Sequence, residues 1–192
     1  TASVVKANGY GHGVKTITTS LFEAGCRIFC VARLEEALQL RKFLLQEEDD
    51  KNFSEVICFD GLQQDDIALY QMHKIVPALK QVCEINVAAN FARASEIKFP
   101  VWIQLDVGMN RLGISETELD SIYKKGNHCD LAQLDVKVVM SHLSCSDTPF
   151  HEENEKQRIR FERMSKKITF APLSLSASHG LLLSEDFHYD IT

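Results

Sequence analysis

Four short polar segments each follow an apolar run that is typical of a strand, and they hold the residues whose types could do chemistry. They are KANGYGHG (6–13), DVGMNRLG (106–113), SHLSCSD (141–147) and SASHG (176–180). In parallel α/β folds, ligands bind beyond the carboxyl ends of the strands. The four segments are therefore the positions at which we expect a functional site.

The first segment begins with a lysine at the end of an apolar strand. Lys6 follows Val4 and Val5 and precedes Ala7. Burial at such a position disfavours a charged ammonium, and a neutral amine is the nucleophile that Schiff-base formation with an aldehyde cofactor or a carbonyl substrate requires. The residues alone leave open an alternative, in which the lysine stem packs on the protein while the ammonium reaches solvent.

The glycines of the first segment favour a loop that presents an aromatic side chain. Gly9 and Gly11 flank Tyr10, Gly13 follows, and we expect Tyr10 to face the strand ends. A dinucleotide-binding fingerprint is the rival interpretation. It is disfavoured because the spacing is G-x-G-x-G, and because the second strand is followed by Arg33 rather than by an acidic ribose ligand.

The second segment exposes one permanently charged side chain on a loop between two glycines. Arg111 lies there with Met109 nearby. A guanidinium offers several donors in a fixed fork, which suits a carboxylate or a phenolate oxygen. The alternative is a loop arginine that pairs with a neighbouring acid such as Asp106.

The last two segments add a histidine and a serine. His142 could stack on a cofactor or form a hydrogen bond with it, although a lone histidine here is more often structural. Ser178 and the backbone of residues 178–180 follow the seventh strand, where barrels frequently bind phosphate on loop N–H groups and a helix N-terminus. A simple helix cap is the alternative for Ser178.

The elements that must position these segments alternate between strands and helices, which is typical of βα units in a parallel sheet. Seven strands and the start of an eighth, at near-regular spacing, predict an incomplete (β/α)8 TIM barrel of the α/β class. An open doubly wound sheet is the competitor. The predicted strands are 3–7, 28–32, 56–60, 75–79, 101–106, 136–143, 172–177 and the truncated 189–192.

Helix signals lie between these strands. Apolar residues recur at helical spacing in 14–22 and in 161–168, and both faces are expected to pack on the sheet. Ser115 and Glu118 have the spacing of a capping box. The mostly charged segment 151–167 predicts a solvated helix.

Composition excludes several classes of function. The 192-residue chain is 45% hydrophobic and 25% charged, as in ordinary globular domains, and its formal net charge of -6 argues against a nucleic-acid partner. Its apolar runs are too short to span a bilayer, so we expect a cytoplasmic protein without a membrane partner.

Six scattered cysteines suit reduced thiols better than disulfides; a zinc site with Cys26, Cys30 and a histidine is the weaker alternative.

The four segments, in this order, resemble those of alanine racemase. VVKANGYGHG is close to the pyridoxal-phosphate signature of that family and is highly specific, and LDVGMNRLG is a strong supporting motif. SHLSCSD and SLSASHG match more weakly. Because the segments extend from the first residues to the last, the resemblance implies the cofactor-binding barrel domain of the family over residues 1–192.

The resemblance implies a role for each polar strand end. Lys6 becomes the lysine that attaches covalently to pyridoxal 5'-phosphate and acts as a catalytic base. Tyr10 and Ser178 are implied to bind the cofactor phosphate. His142 is implied to lie beside the pyridine ring. The resemblance implies no metal ligand.

Arg111 is implied to contact the phenolic oxygen of the ring and the substrate carboxylate, with Met109 nearby in the substrate site. In the family a lysine, often carbamylated, braces this arginine, but Gln104 stands at that position. Arg111 is then expected to be held by an amide or an anion. The family also often has Ala-Asn-Ser in its phosphate segment, where residues 176–178 are Ser-Ala-Ser, so the contribution of the asparagine is lost.

The resemblance further implies an isomerase that interconverts L-alanine and D-alanine by a two-base mechanism and supplies D-alanine for the cell wall. Its second base is a tyrosine from the C-terminal β-domain of the partner subunit in a homodimer, and an arginine of the eighth strand faces the pyridine nitrogen. Both are expected outside this chain, so the 192-residue fragment alone is expected to be inactive. Alternatives are a broader amino-acid racemase, another pyridoxal-phosphate barrel enzyme of the superfamily, and a non-catalytic cofactor carrier.

Overall fold

The computed structural model of the protein describes residues 1–47, 53–124, 130–168 and 171–192. Within these residues the chain divides into two compact units, Thr1–Ala78 and Leu79–Thr192. Strands and helices alternate along the chain in both units, as the pattern of the sequence predicts.

The first unit contains a parallel sheet whose strands follow chain order. Its strands are β1 (Ser3–Val4), β2 (Ile28–Val31), β3 (Glu55–Cys58) and β4 (Ile75–Leu79, of which Leu79 belongs to the second unit), and its helices are α1 (Val14–Glu23), α2 (Leu34–Glu47) and α3 (Ile67–Met72). The register pairs Val4 with Cys30 and pairs Cys58 with both Val31 and Pro77. The carboxyl ends of these strands therefore lie along one edge of the sheet.

The second unit repeats this arrangement. Its strands are β5 (Phe99–Gln104), β6 (Leu134–Met140) and β7 (Leu173–Ser174), and its helices are α4 (Val82–Ala94), α5 (Glu116–Lys124) and α6 (Glu152–Ser165). The strands are parallel, with Gln104 paired to Met140 and Met140 paired to Ser174. Three consecutive strand ends thus lie at one level, and the loops that follow them leave the same edge of the sheet.

The strand interiors form the buried core of each unit. Every residue of β4 is buried, and β2 and β3 are buried except at their first residues. Strands covered on both faces appear in sequence as continuous apolar runs, which is why these were recognisable. In the second unit Trp102 and Phe161 are among the largest fully buried side chains.

Several strand ends differ from the sequence prediction. The strand predicted at 3–7 stops at Val4, because the backbone turns into a left-handed conformation from Ala7. The strand predicted at 172–177 contains only β7. Residues 189–192 do not form a strand, although the Ile191 amide donates to the Leu173 carbonyl at 3.1 Å, so the segment is hydrogen-bonded to β7.

The helices predicted around 14–22 and within 151–167 are present as α1 and α6. The Ser115 amide donates to the Glu118 carboxylate at 2.9 Å and the Glu118 amide donates to the Ser115 hydroxyl at 3.3 Å, which is a reciprocal capping box. The charged helix α6 is amphipathic, with Gln157 and Phe161 buried on its inner side. Among the described residues, no helix combines the length and apolar character needed to cross a membrane.

Candidate active site

A left-handed turn follows β1 and carries the first predicted site residues. Val5 is 1% exposed, and its amide donates to the Cys30 carbonyl at 2.8 Å. After Lys6 the φ angles of Ala7, Asn8 and Tyr10 are 51°, 54° and 54°, a region that non-glycine residues rarely adopt. Strained backbone of this kind persists where the surrounding contacts determine it, and it clusters at functional sites.

A carboxylate from another helix supplies one of those contacts. Glu36, in the first turn of α2, accepts a hydrogen bond from the Ala7 amide at 2.7 Å through Oε1. Its Oε2 accepts from the amides of Ala32 and Arg33 at 2.9 and 3.1 Å. Glu36 therefore joins the end of β1 to the end of β2. Sequence reasoning missed this residue, although an acid in the first turn of a helix is a recognisable capping signal.

Lys6 and Tyr10 are brought together by the turn. Lys6 is half-buried, so the full burial that its place after an apolar run suggested is not reached. Its Nζ lies 5.9 Å from the centre of the Tyr10 ring, and Tyr10 is 59% exposed. The amine and the phenol therefore both reach the surface at the carboxyl end of β1.

In the second unit, the loop after β5 presents Arg111. Asp106 closes this loop, because its Oδ1 accepts from the amides of Gly108 and Asn110 at 2.9 and 3.0 Å. The carboxylate of Asp106 is thus used by the loop backbone rather than as a partner for Arg111. Gly113 has a φ of 120°, and a Cβ there would lie 2.5 Å from the Leu105 carbonyl carbon, so the loop returns tightly against β5.

Gln104 stands beneath this loop at the position where the resemblance implies a bracing lysine. It is 7% exposed, and its Nε2 donates to the Leu112 carbonyl at 3.5 Å. The amide therefore reaches the backbone of the residue after Arg111 rather than its guanidinium. Arg111 itself is exposed.

Arg111 also lines a cavity of about 350 Å³ between the loop after β5 and the start of α4. A second cation, Lys80, and the carboxylate of Glu118 face the same space. Hydrogen bonds from Ser115 hold the pKa of Glu118 below its usual range, so this carboxylate stays charged at neutral pH. The remaining lining residues are Gln81, Val82, Cys83, Leu112 and Gly113.

His142 and Ser178 follow β6 and β7. His142 is half-buried, between Ser141 at 4% exposure and Leu143 at 2%. Ser178 is exposed in a turn that leads only to a three-residue 3-10 helix, Gly180–Leu182, so the helix expected at this point is a single short turn. The hydroxyl of Ser178 is nevertheless presented at the carboxyl edge of the sheet.

The cysteines do not assemble a metal site in the described part of the chain. There, no group of three or more His, Cys, Asp or Glu side chains is arranged to hold a metal ion. The Cys26 Sγ lies 3.3 Å from the Ser3 Oγ, and burial raises the pKa of the Cys30 thiol. Both cysteines are free thiols.

The predicted residues thus fall into two sets. The first unit brings Lys6 and Tyr10 together, and the second unit places its set on successive loops at one edge of its sheet. That second set consists of Met109, Arg111, His142 and Ser178. Both sets lie where side chains of a parallel α/β fold meet their ligands.

Known proteins share this sequence and fold. The family model for the alanine racemase N-terminal domain matches residues 1–192. A catabolic alanine racemase of Mesorhizobium japonicum is 33% identical over 190 residues, which are 99% of this chain and 48% of that protein. An alanine racemase of Brucella ovis is 32% identical, over 100% of this chain and 46% of its own length.

Solved structures give the same result. The alanine racemase from Bartonella henselae with covalently bound pyridoxal phosphate has a TM-score of 0.89 at 31% identity, over 99% of this chain and 53% of its own. That from Corynebacterium glutamicum has a TM-score of 0.82 at 26% identity. The chain therefore spans about half the length of these relatives, and its fold is an incomplete (β/α)8 barrel of the α/β class, as the sequence predicts.

Proposed function

Because the chain belongs to the alanine racemase family, whose N-terminal domain it matches over residues 1–192, we propose that the protein that carries it is a pyridoxal-phosphate-dependent isomerase that interconverts L-alanine and D-alanine. The observation that carries this proposal is Lys6. It stands in the signature VVKANGYGHG, directly after the buried Val5 and at the head of a left-handed turn. A lysine amine is the group with which an aldehyde cofactor forms a covalent bond.

The side chains at the strand ends fit this cofactor chemically. Lys6 supplies the amine for the aldehyde. The hydroxyls of Tyr10 and Ser178 belong to exposed residues and would hold the phosphate, while the exposed guanidinium of Arg111 suits an anionic oxygen. At Gly180 a Cβ would lie 3.3 Å from the side chain of Ser176, so the loop that carries Ser178 turns tightly where this glycine stands.

Each residue then has a defined task in the reaction. When bound, pyridoxal phosphate withdraws electrons from the Cα of the amino acid and thereby acidifies its α-hydrogen. Once the substrate amine has taken its place on the aldehyde, the freed Lys6 amine would accept that proton, or return it, on one face of the carbon. Arg111 would bind the substrate carboxylate and the phenolic oxygen of the cofactor. His142 would lie beside the ring, and Met109 would border the substrate.

The finer parts of the proposal rest on the family resemblance. Inversion at Cα requires proton removal on one face and delivery on the other, so a second base must stand opposite Lys6. In the family this base is a tyrosine from the C-terminal domain of the partner subunit. We infer a homodimer in the cytoplasm that supplies D-alanine for peptidoglycan.

The test is racemisation by the protein at its natural length, loaded with pyridoxal phosphate. L-alanine is expected to become an equal mixture of enantiomers, measured by chiral chromatography, because mirror-image molecules have the same free energy. A Lys6→Ala variant serves as the inactive control. Faster racemisation of other amino acids would identify a broader racemase, and tight cofactor binding without any racemisation would contradict the proposal in favour of a carrier.

The 192-residue chain by itself provides a second test. If the second base comes from the partner subunit, this chain is expected to bind the cofactor through Lys6 without racemising alanine. Measurable turnover by this chain would contradict the two-subunit site.

A further inference from the structure

One face of α6 contacts two of the three loops that carry the second unit's predicted site residues. Gln157 and Arg160 are three residues apart in α6, so their side chains lie on the same side of the helix. Arg160 reaches the loop after β5, here called the β5 loop (105–115), and Gln157 reaches the loop after β6, the β6 loop (141–151).

Arg160 holds the β5 loop by its backbone. Its Nη1 donates to the Val107 carbonyl at 2.6 Å. A Cβ at Gly108 would lie 2.3 Å from the same Nη1, so any side chain at this position would displace the guanidinium from its present place. The carbonyl that Arg160 holds is two residues before Met109 and four before Arg111. The position of the substrate-binding arginine is therefore tied to α6.

Gln157 holds the β6 loop in the same way. It is fully buried, and its Oε1 accepts hydrogen bonds from the amide and hydroxyl of Ser144 at 3.0 and 3.2 Å. Ser144 is two residues beyond His142. An amide N–H can only donate, so the Gln157 oxygen must face Ser144 and its Nε2 must point away from it.

The Nε2 of Gln157 points towards the β5 loop. It lies 3.8 Å from the position of a Cβ on Gly108, and it is buried without an acceptor among the described residues. A buried donor without a partner costs free energy, so other contacts of Gln157, including its bonds to Ser144, must hold the amide in this orientation. Gln157 therefore contacts the β6 loop through its oxygen and lies against the β5 loop through its nitrogen.

We propose that Gln157 and Arg160 are positioning residues, the α6 clamp, that set the distance between Arg111 and His142. The clamp joins the loops that carry these residues to one rigid helix, so that neither loop moves independently of the other. This inference rests on the proposed function, because the separation of Arg111 and His142 matters only if both contact the cofactor and substrate.

The clamp is tested by hydrogen–deuterium exchange on the protein at its natural length, with two variants. Arg160→Ala is expected to raise amide exchange in residues 107–111 by about tenfold, because a hydrogen bond from a charged donor is lost. Gln157→Ala is expected to do the same in residues 142–146. Arg163→Ala, on the same helix but with an exposed ion pair to Glu116, is the matched control and should leave both segments unchanged.

Steady-state kinetics supply the second readout. Arg160→Ala is expected to raise KM for alanine by about tenfold with a smaller loss in kcat, because a misplaced Arg111 weakens carboxylate binding. Arg160→Lys keeps the positive charge without the guanidinium fork and should raise KM for alanine less than Arg160→Ala does. It replaces Arg160→Ala if that variant does not fold.

The exchange and activity measurements distinguish a failure of the α6 clamp from a failure of the proposed function. Unchanged exchange in both loop segments would overturn the clamp, whatever the activity. Exchange that rises in the Arg163→Ala control as strongly as in Arg160→Ala would also overturn it, because the effect would then be a general loosening of α6. A parent protein that does not racemise alanine would overturn the proposed function, and the exchange data would still decide the clamp.

Discussion

The residues after Lys6 adopt a backbone conformation that costs free energy. Ala7, Asn8 and Tyr10 all have positive φ, and a non-glycine residue in such a region costs about 1–3 kcal/mol. The Glu36 carboxylate, which accepts from the Ala7 amide, offsets part of that cost. The same carboxylate also bonds the amides at the end of β2, so the position of the lysine depends on a residue of a different βα unit.

Lys6→Ala is expected to abolish the visible absorbance of the lysine-bound cofactor, because the amine that attaches the aldehyde is removed. Absorbance spectra of the protein mixed with pyridoxal phosphate measure this directly. Lys15→Ala, an exposed lysine in α1, is the matched control and should keep the spectrum of the parent protein. An unchanged spectrum for Lys6→Ala would show that another lysine holds the cofactor.

Glu36→Gln is expected to destabilise the first unit. Three backbone amides donate to this carboxylate, and a hydrogen bond to a charged group contributes about 1.5–3 kcal/mol. The amide oxygen of the introduced glutamine still accepts hydrogen bonds and keeps part of this stabilisation. We therefore expect a loss of about 2 kcal/mol in the free energy of unfolding by urea. Glu35→Gln, exposed in the same first turn of α2, should change this free energy by less than about 0.5 kcal/mol. Equal effects of the two changes would contradict a special role for Glu36.

At the scale of elements, the β5 loop depends on the close return of its last glycine. Gly113→Ala places a methyl group 2.5 Å from the Leu105 carbonyl carbon at a φ of 120°. Gly25→Ala is the matched control, because Gly25 also has a positive φ, 95°, but has no atom within 4 Å of its Cβ position.

We expect Gly25→Ala to lower the free energy of unfolding by about 1 kcal/mol, because alanine is disfavoured in the left-handed conformation. Gly113→Ala should lower the free energy of unfolding by about 1–3 kcal/mol more, because its methyl group also overpacks the loop. Urea unfolding of both variants measures the difference. Losses of the same size would show that the loop can move aside without cost.

A group of ion pairs joins α5 to α6 and to Lys167, which lies two residues beyond the end of α6. Glu116 accepts from Arg163 at 2.6 Å and from Lys167 at 3.2 Å, and Lys167 also pairs with Asp120 at 2.6 Å. The Arg163 hydrogen bond, with a smaller contribution from Lys167, holds the pKa of Glu116 below its usual value. The pairs are partly exposed, so their effect on stability is expected to be small and sensitive to salt.

This arrangement predicts a pH dependence of stability. A carboxyl group whose pKa is lowered by folding stabilises the fold above its unfolded pKa of about 4.3, and that contribution is lost as the pH falls through the folded pKa. Glu116→Gln should therefore reduce the difference between the urea midpoints at neutral and at acidic pH. Glu23→Gln, exposed at the end of α1, is the control and should leave that difference unchanged.

At the scale of the whole molecule, the reactivity of the cysteines depends on whether each one is buried or exposed. Cys30 and Cys58 are buried in neighbouring strands, whereas Cys83 is exposed at the start of α4. Burial raises the pKa of Cys30, so its reactive thiolate is scarce in the folded state.

Alkylation of the native chain is therefore expected to label Cys83 rapidly, and Cys30 and Cys58 only after unfolding. Peptide mass spectrometry after timed exposure to iodoacetamide measures each site. Rapid labelling of Cys30 in the native protein would contradict the buried sheet of the first unit.

The sequence determined the order and type of the elements because buried parallel strands require continuous apolar runs. IVPAL at 75–79 was predicted with the bounds that β4 has, and the capping box of Ser115 and Glu118 was recognisable from two residues. The left-handed turn at Ala7 was not recognisable from the sequence, because alanine has no local preference for a positive φ. One of the contacts that hold it comes from Glu36, which lies 29 residues away.

The candidate site divides in the same way. Residue type and spacing suggested Lys6, Tyr10, Arg111, His142 and Ser178 as candidates, because they stand at or beyond the ends of apolar runs. The family resemblance then implied their roles and added Met109. Only the tertiary structure showed that Gln104 reaches the backbone of Leu112 and that Gln157 and Arg160 hold the two loops. Such supporting contacts join residues far apart in sequence, and the amino-acid order carries no periodic signal for a contact that exists only after the helices pack on the sheet.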